Sequence, residues 1–204
     1  MLTPELAQAL QNAYEAGLEA IFGDSQTNHV PAESFEAVAK VEQHRWHWRP
    51  AQPKLILVAE SHVYTSNAAL RVTINQNEIA PLLANGEPLP PSEYVGLVYC
   101  LGYGETKLLR NRHADFRIRS TWQFWDLFGR LAATGKQPRA SAGTSLRERL
   151  KWKLETLMRL KERGIWLLDG SCHAIYLGDI RTFNVEAALP TLNEARRLGI
   201  EETR

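Results

Sequence analysis

Apolar positions along the chain follow two patterns, one helical and one strand-like. Over residues 3–22, Leu6, Leu10, Tyr14, Leu18, Ile21 and Phe22 recur at helical spacing. Thr3 stands at the N-cap, Pro4 at the first helical position, and Gly23 at the stop. A short second helix is predicted over 32–40. At 54–59, Lys-Leu-Ile-Leu-Val-Ala, the pattern becomes a continuous apolar run after Pro53. Such a run suits a strand buried on both faces, as in a parallel sheet. The same pattern returns at 165–168, Ile-Trp-Leu-Leu.

The stretch between the two runs reads as helices and loops. Residues 92–101 are predicted as a helix opened by Ser92. Residues 120–133 form an aromatic-rich helix capped by Ser120 or Thr121, with Trp122, Phe124, Trp125 and Phe128 toward the core. The clearest helix is 146–163: Ser145 and Glu148 form a capping box, Leu146, Leu150, Leu154 and Leu157 make the stripe, and Gly164 terminates it. A last helix is predicted over 185–198, and two weaker strands near 70–75 and 174–177. Glycines and prolines mark 81–91 as a loop, and 134–144 as an exposed mobile one.

Alternating strands and helices predict one α/β domain over residues 1–204. It is read as three-layered, with a small, mainly parallel central sheet flanked by helices. Residues 1–50 form a helical region packing on that sheet. Strands 54–59 and 165–168 are expected as parallel neighbours.

Composition adds an uneven charge. The net charge is +1, yet 107–163 holds fifteen Lys and Arg against five Asp and Glu. That asymmetry fits a surface for DNA or RNA, and equally the solvated faces of helices. Arg147, Arg149, Lys151 and Lys153 are read as coating an exposed helix face. Cys100 and Cys172 have neither metal nor CxxC spacing and read as buried thiols. The N-terminus has no signal-peptide pattern, and the longest apolar runs are about five residues, far below the roughly 20 that span a bilayer. A cytoplasmic protein without membrane segment, cofactor or metal is expected.

Candidate chemistry gathers where the two apolar strands end, the usual ligand position in open α/β sheets. The first strand breaks into Glu60, Ser61, His62, Tyr64, Ser66 and Asn67, the second into Asp169, Ser171 and His173. If the strands are neighbours, two carboxylates and two imidazoles meet in one cleft. A carboxylate there positions water or acts as base, and a histidine stabilises developing negative charge. The same residues also read as caps of following helices. A Ser61, His173, Asp169 hydrolase is a further alternative, without a G-x-S-x-G elbow. The segment His-Arg-Trp-His-Trp-Arg-Pro at 44–50 suits stacking on single-stranded nucleic acid, or packing of Trp46 and Trp48 beneath the start of the sheet.

Lys-Leu-Ile-Leu-Val-Ala-Glu-Ser-His-Val-Tyr-Thr-Ser-Asn at 54–67 resembles the first motif of the uracil-DNA glycosylase superfamily. There a buried strand ends in a loop that positions the attacking water. The segments 99–105, 120–128 and 162–170 follow in the superfamily's order, so the resemblance spans roughly 50–180. Ala59 replaces the usual Gly, Asp169 stands in place of a base-reading Asn, and the later His-Pro-Ser type loop is not visible. The resemblance implies that Glu60 orients water, Tyr64 and Tyr103 border the pocket, and Asp169 contacts a base edge. In base-flipping chemistry, Arg110, Arg112, Arg117 and Arg119 would hold the backbone, and His62 or His173 would replace the missing donor. A non-catalytic or vestigial binding module of the same fold is the alternative.

Overall fold

The computed structural model describes residues 3–22, 32–84, 86–112 and 122–174. In chain order the elements are α1 (Pro4–Phe22), α2 (Phe35–His47), β1 (Leu55–Ala59), β2 (Thr73–Ile74), α3 (Gln76–Ile79), β3 (Leu109–Arg110), α4 (Trp122–Ala132), α5 (Leu146–Arg163) and β4 (Ile165–Asp169). The fold is α/β. β1 and β4 form a parallel pair in register from Leu55↔Ile165 to Ala59↔Asp169, and β2 and β3 form a separate antiparallel pair. The predicted helix 185–198, most of the strand at 174–177 and the cap of α4 lie outside the described residues. So do Arg117 and Arg119.

α5 and β4 are joined by a turn that only glycine fits. The capping box at Ser145 and Glu148 starts the helix, with the Glu148 amide donating to Ser145 Oγ at 3.2 Å. Gly164 ends it at φ 76°. A Cβ there would lie 2.7 Å from the Gln52 carbonyl oxygen. That close approach lets the Gly164 carbonyl accept from the Lys54 and Leu55 amides, setting the start of the strand pair.

β4 is the buried member of the pair. Ile165, Trp166 and Leu167 are buried, and Trp166 meets α2: its ring lies edge-on to Trp46 and its Nε1 donates to the Arg45 carbonyl at 3.2 Å. Trp48 is buried too, donating to the Tyr99 carbonyl at 3.1 Å. β1 departs from the expectation of a strand buried on both faces. Val58 is 73% exposed and Ile56 41%, and these two residues share one face of the strand.

Residues 92–101 are not helical. They form turns lying against β2, where the Ile74 amide donates to the Ser92 carbonyl and the Tyr94 amide to the Val72 carbonyl. Tyr94, Val95 and Leu97 through Leu101 are all buried. A segment apolar on every side, with β-branched valines and a glycine, has no solvated face to set a helical register. In the 134–144 loop Thr134 is anchored: its carbonyl accepts from Trp152 Nε1 at 3.0 Å and its hydroxyl meets Thr156 at 2.7 Å. Cys100 is buried as expected, with burial pushing its thiol up to about 11, whereas Cys172 is only half-buried.

α5 does not carry its cations uniformly on the surface. Arg147 and Lys151 are exposed, whereas Arg149 and Lys153 are buried and share Glu105. Arg149 Nη2 lies 2.8 Å and Lys153 Nζ 3.1 Å from that carboxylate, and burial lowers the Lys153 pKa. Removing one partner of a buried ion pair leaves uncompensated charge. Glu105→Ala is therefore expected to lower folding stability by roughly 3–5 kcal/mol in urea denaturation. A loss below about 1 kcal/mol would show that the cations find other partners.

Candidate functional site

The parallel pairing of β1 and β4 brings both polar breaks to one end of the sheet. A cavity of about 40 Å³ opens there. Ala59, Ser61 and His62 line it from the first strand's end, Leu167 and Asp169 from the second. Phe124 of α4 and Tyr103 supply aromatic walls. Val63, Gly96, Leu97 and Val98 complete the lining, and position 96 also requires glycine. A Cβ on Gly96 would lie 2.3 Å from the Val63 carbonyl oxygen. Without it, the Val63 amide donates to the Gly96 carbonyl and the Gly96 amide to Thr65 Oγ1, each at 2.9 Å.

Beside the cavity runs a buried chain of ionic groups. His62 Nδ1 lies 3.1 Å from Asp169 Oδ2, and His62 Nε2 lies 2.6 Å from Glu33 Oε2. Arg45 Nη2 donates to the same Asp169 Oδ2 at 2.6 Å, and Arg45 Nη1 pairs with Glu42. The second oxygen of Glu33 accepts from the Thr65 amide at 2.6 Å. The side chains of His62 and Glu33 are fully shielded from solvent, and those of Arg45 and Asp169 nearly so. Burial alone would push His62 down. The hydrogen bonds to Asp169 and Glu33 and the charges of both carboxylates outweigh it and raise the imidazole to about 9. At neutral pH His62 is thus a cation donating from both nitrogens. Burial raises the Glu42 pKa, opposed by Arg45 and His62.

The predicted site residues divide into two groups. Ser61, His62, Tyr103 and Asp169 meet at the cavity. Glu60 is exposed and does not line it, so the cleft's second carboxylate is Glu33, reached through His62. His173 is buried but turned to α1: its Nε2 donates to the Tyr14 carbonyl at 2.8 Å and its ring stacks on Tyr14 at 4.7 Å. The two imidazoles therefore do not share the cleft, and Ser61, His173 and Asp169 form no triad. Ser171 Oγ accepts from the His173 amide at 3.1 Å, a local turn. Asn67 Oδ1 accepts from Ser34 Oγ at 2.9 Å, beside the N-cap of α2. Tyr64 is half-buried outside the cavity lining, and Arg110 and Arg112 are exposed. His44, considered above with 44–50, is buried, pushed down to about 4 by burial, and donates from Nε2 to the Glu93 carbonyl at 2.8 Å.

Glu33 and Glu42 were not among the residues picked out from sequence, and Arg45, read there within 44–50 as suited to single-stranded nucleic acid, is instead buried against Asp169. Glu33 sits next to the N-cap Ser34, where an acidic residue reads as a helix-end charge, and its partners are some 30 and 140 positions away. Comparison of the chain with family models, curated proteins and solved structures yields no match.

The His62 clamp has a signed pH dependence. A group whose pKa rises on folding, here from 6.5 to about 9, contributes stability that is whole below pH 6.5 and is lost as pH rises through about 9. Thermal unfolding of the wild type should show that decline across pH 6.5–9, on the order of 3 kcal/mol. His62→Gln should flatten it. A wild-type profile already flat over that window would mean that His62 is not held as a cation.

Proposed function

We propose that the cleft at the carboxyl ends of β1 and β4 binds one edge of a nucleobase, free or within DNA or RNA, and that the domain works as a binding module of the DNA-glycosylase type. The observation that carries this reading is the lining of the cavity. An acceptor side chain, Asp169, and two aromatic side chains, Phe124 and Tyr103, line the same cavity. Stacking surfaces with a few placed polar groups are what a base-reading site needs. The volume of about 40 Å³ has room for roughly three waters, so one edge of a ring enters, not a whole base.

Base excision makes further demands. It needs a carboxylate that orients water and a donor for the departing ring. Glu60 stands outside the lining, and both nitrogens of His62 are committed to carboxylates. These placements favour binding over efficient cleavage. Polyanion contact is supported by the exposed Lys107, Arg110 and Arg112, while Arg149 and Lys153 are spent on Glu105.

Fluorescence anisotropy with short single-stranded oligonucleotides tests the reading. Binding should weaken with salt, with a log–log slope of about −0.7 per neutralised phosphate. Arg110→Ala with Arg112→Ala should make that slope shallower by about 1.4. Parallel assays for free base should show no release from uracil-containing or other damaged-base strands. Release that disappears in Glu60→Gln would overturn the binding-module reading in favour of an enzyme, and absence of binding at low salt would remove nucleic acid as the partner.

A further inference from the structure

Asp169 brings a carboxylate to the cavity lining, and its chemistry selects among ligands. All hydrogen bonds that Asp169 receives from described residues fall on Oδ2, from Arg45 at 2.6 Å and His62 at 3.1 Å. Oδ1 receives none, although the Asp169 side chain is only 2% exposed and the residue lines the cavity. A carboxylate oxygen at the cavity lining can accept an N–H that a ligand brings, and a hydrogen bond to a charged acceptor is stronger than one to a neutral group. Arg45 and His62 hold the carboxylate from one side. The free oxygen is thereby fixed in direction before any ligand arrives, which lowers the ordering cost of binding.

Resting on the nucleobase reading above, we infer that Asp169 Oδ1 makes this cleft a site for rings that present an N–H-rich edge, guanine foremost, and against uracil. A carboxylate offers acceptors only. Guanine carries a ring N–H and an exocyclic amino group side by side. Adenine and cytosine carry one amino group next to a ring nitrogen that is itself an acceptor. Uracil carries a single N–H between two carbonyl oxygens, and those oxygens would be pressed toward the carboxylate. The small cavity sharpens the choice, because it admits only an edge of the ring. Phe124 and Tyr103 give the lining apolar surface that does not distinguish one base from another, so discrimination falls to Asp169.

The test is a binding series with guanosine, adenosine, cytidine and uridine on the full chain, read by saturation-transfer NMR and by calorimetry. Guanosine should bind at least tenfold more tightly than uridine, with the other two between. In Asp169→Asn the amide adds a donor, and the guanosine-to-uridine ratio should fall toward one or invert. The wild-type ranking needs no variant, so it decides even if Asp169→Asn fails to fold. Uridine binding as tightly as guanosine, or more tightly, would overturn this inference and leave the nucleobase reading standing. Binding of none of the four would overturn both.

Discussion

One buried imidazole between two carboxylates organises the open end of the sheet. His62 reaches Asp169 at the end of β4 with one nitrogen and Glu33, just before α2, with the other. Arg45 of α2 closes the chain back onto Asp169. Three remote stretches of sequence, around α2, after β1 and at the end of β4, are thereby fixed to one another through buried ionic bonds. Taking such charges out of water costs several kcal/mol per ion, which the pairing must offset through good geometry. The return is positional. A half-satisfied arrangement is strongly disfavoured, so few alternative packings compete. The Thr65 amide on the second oxygen of Glu33 extends this constraint to the loop whose Val63 meets Gly96, and so to the cavity wall.

The same constraint decides what the histidine can do. A general base needs a lone pair aimed at the proton it takes. His62 has given both N–H groups to carboxylates, and its pKa near 9 keeps it charged at neutral pH. It therefore acts on the cleft through Asp169, by holding that side chain still. The second buried ion cluster, Glu105 with Arg149 and Lys153, makes a useful contrast. It ties α5 to the turn before β3, with Lys153 Nζ also donating to the Tyr103 carbonyl at 3.3 Å. None of its three side chains lines the cavity, although the Tyr103 that it steadies does.

Legibility in the sequence followed the range of the forces involved. α5 was readable to the residue because its start and stop are local chemistry, a capping box and a left-handed glycine. The parallel pairing of β1 and β4 was readable because both runs are apolar and both end in polar breaks. The turns over 92–101 were not, since a segment buried on all sides carries no periodic signal. The burial of Arg149 and Lys153 was not either: their helix positions resemble those of Arg147 and Lys151, and only the distant Glu105 distinguishes them. Glu33 was missed for the same reason. The candidate site was thus half legible: the strand ends located it, while the partners that set its charge come from elsewhere in the chain.

Strand parity explains why Asp169 and not Glu60 faces the cleft. Side chains alternate between the faces of a strand, so residues two apart share a face. Ala59 and Asp169 are register partners, and both line the cavity. Leu167, two before Asp169, and Ser61, two after Ala59, line it as well. Glu60 falls between Ala59 and Ser61 and is carried to the solvent side, where it is exposed. A polar cluster at a strand's end is therefore not a set of equivalent candidates. The register of one strand against its neighbour sorts them, and a shift of one residue would exchange Glu60 for Ala59 at the cavity wall. With the register fixed from Leu55↔Ile165 onward, the strand-end carboxylate that lines the cavity is the one on β4. The Asp169 carboxylate, rather than that of Glu60, is what the alternation of the backbone delivers to this cleft.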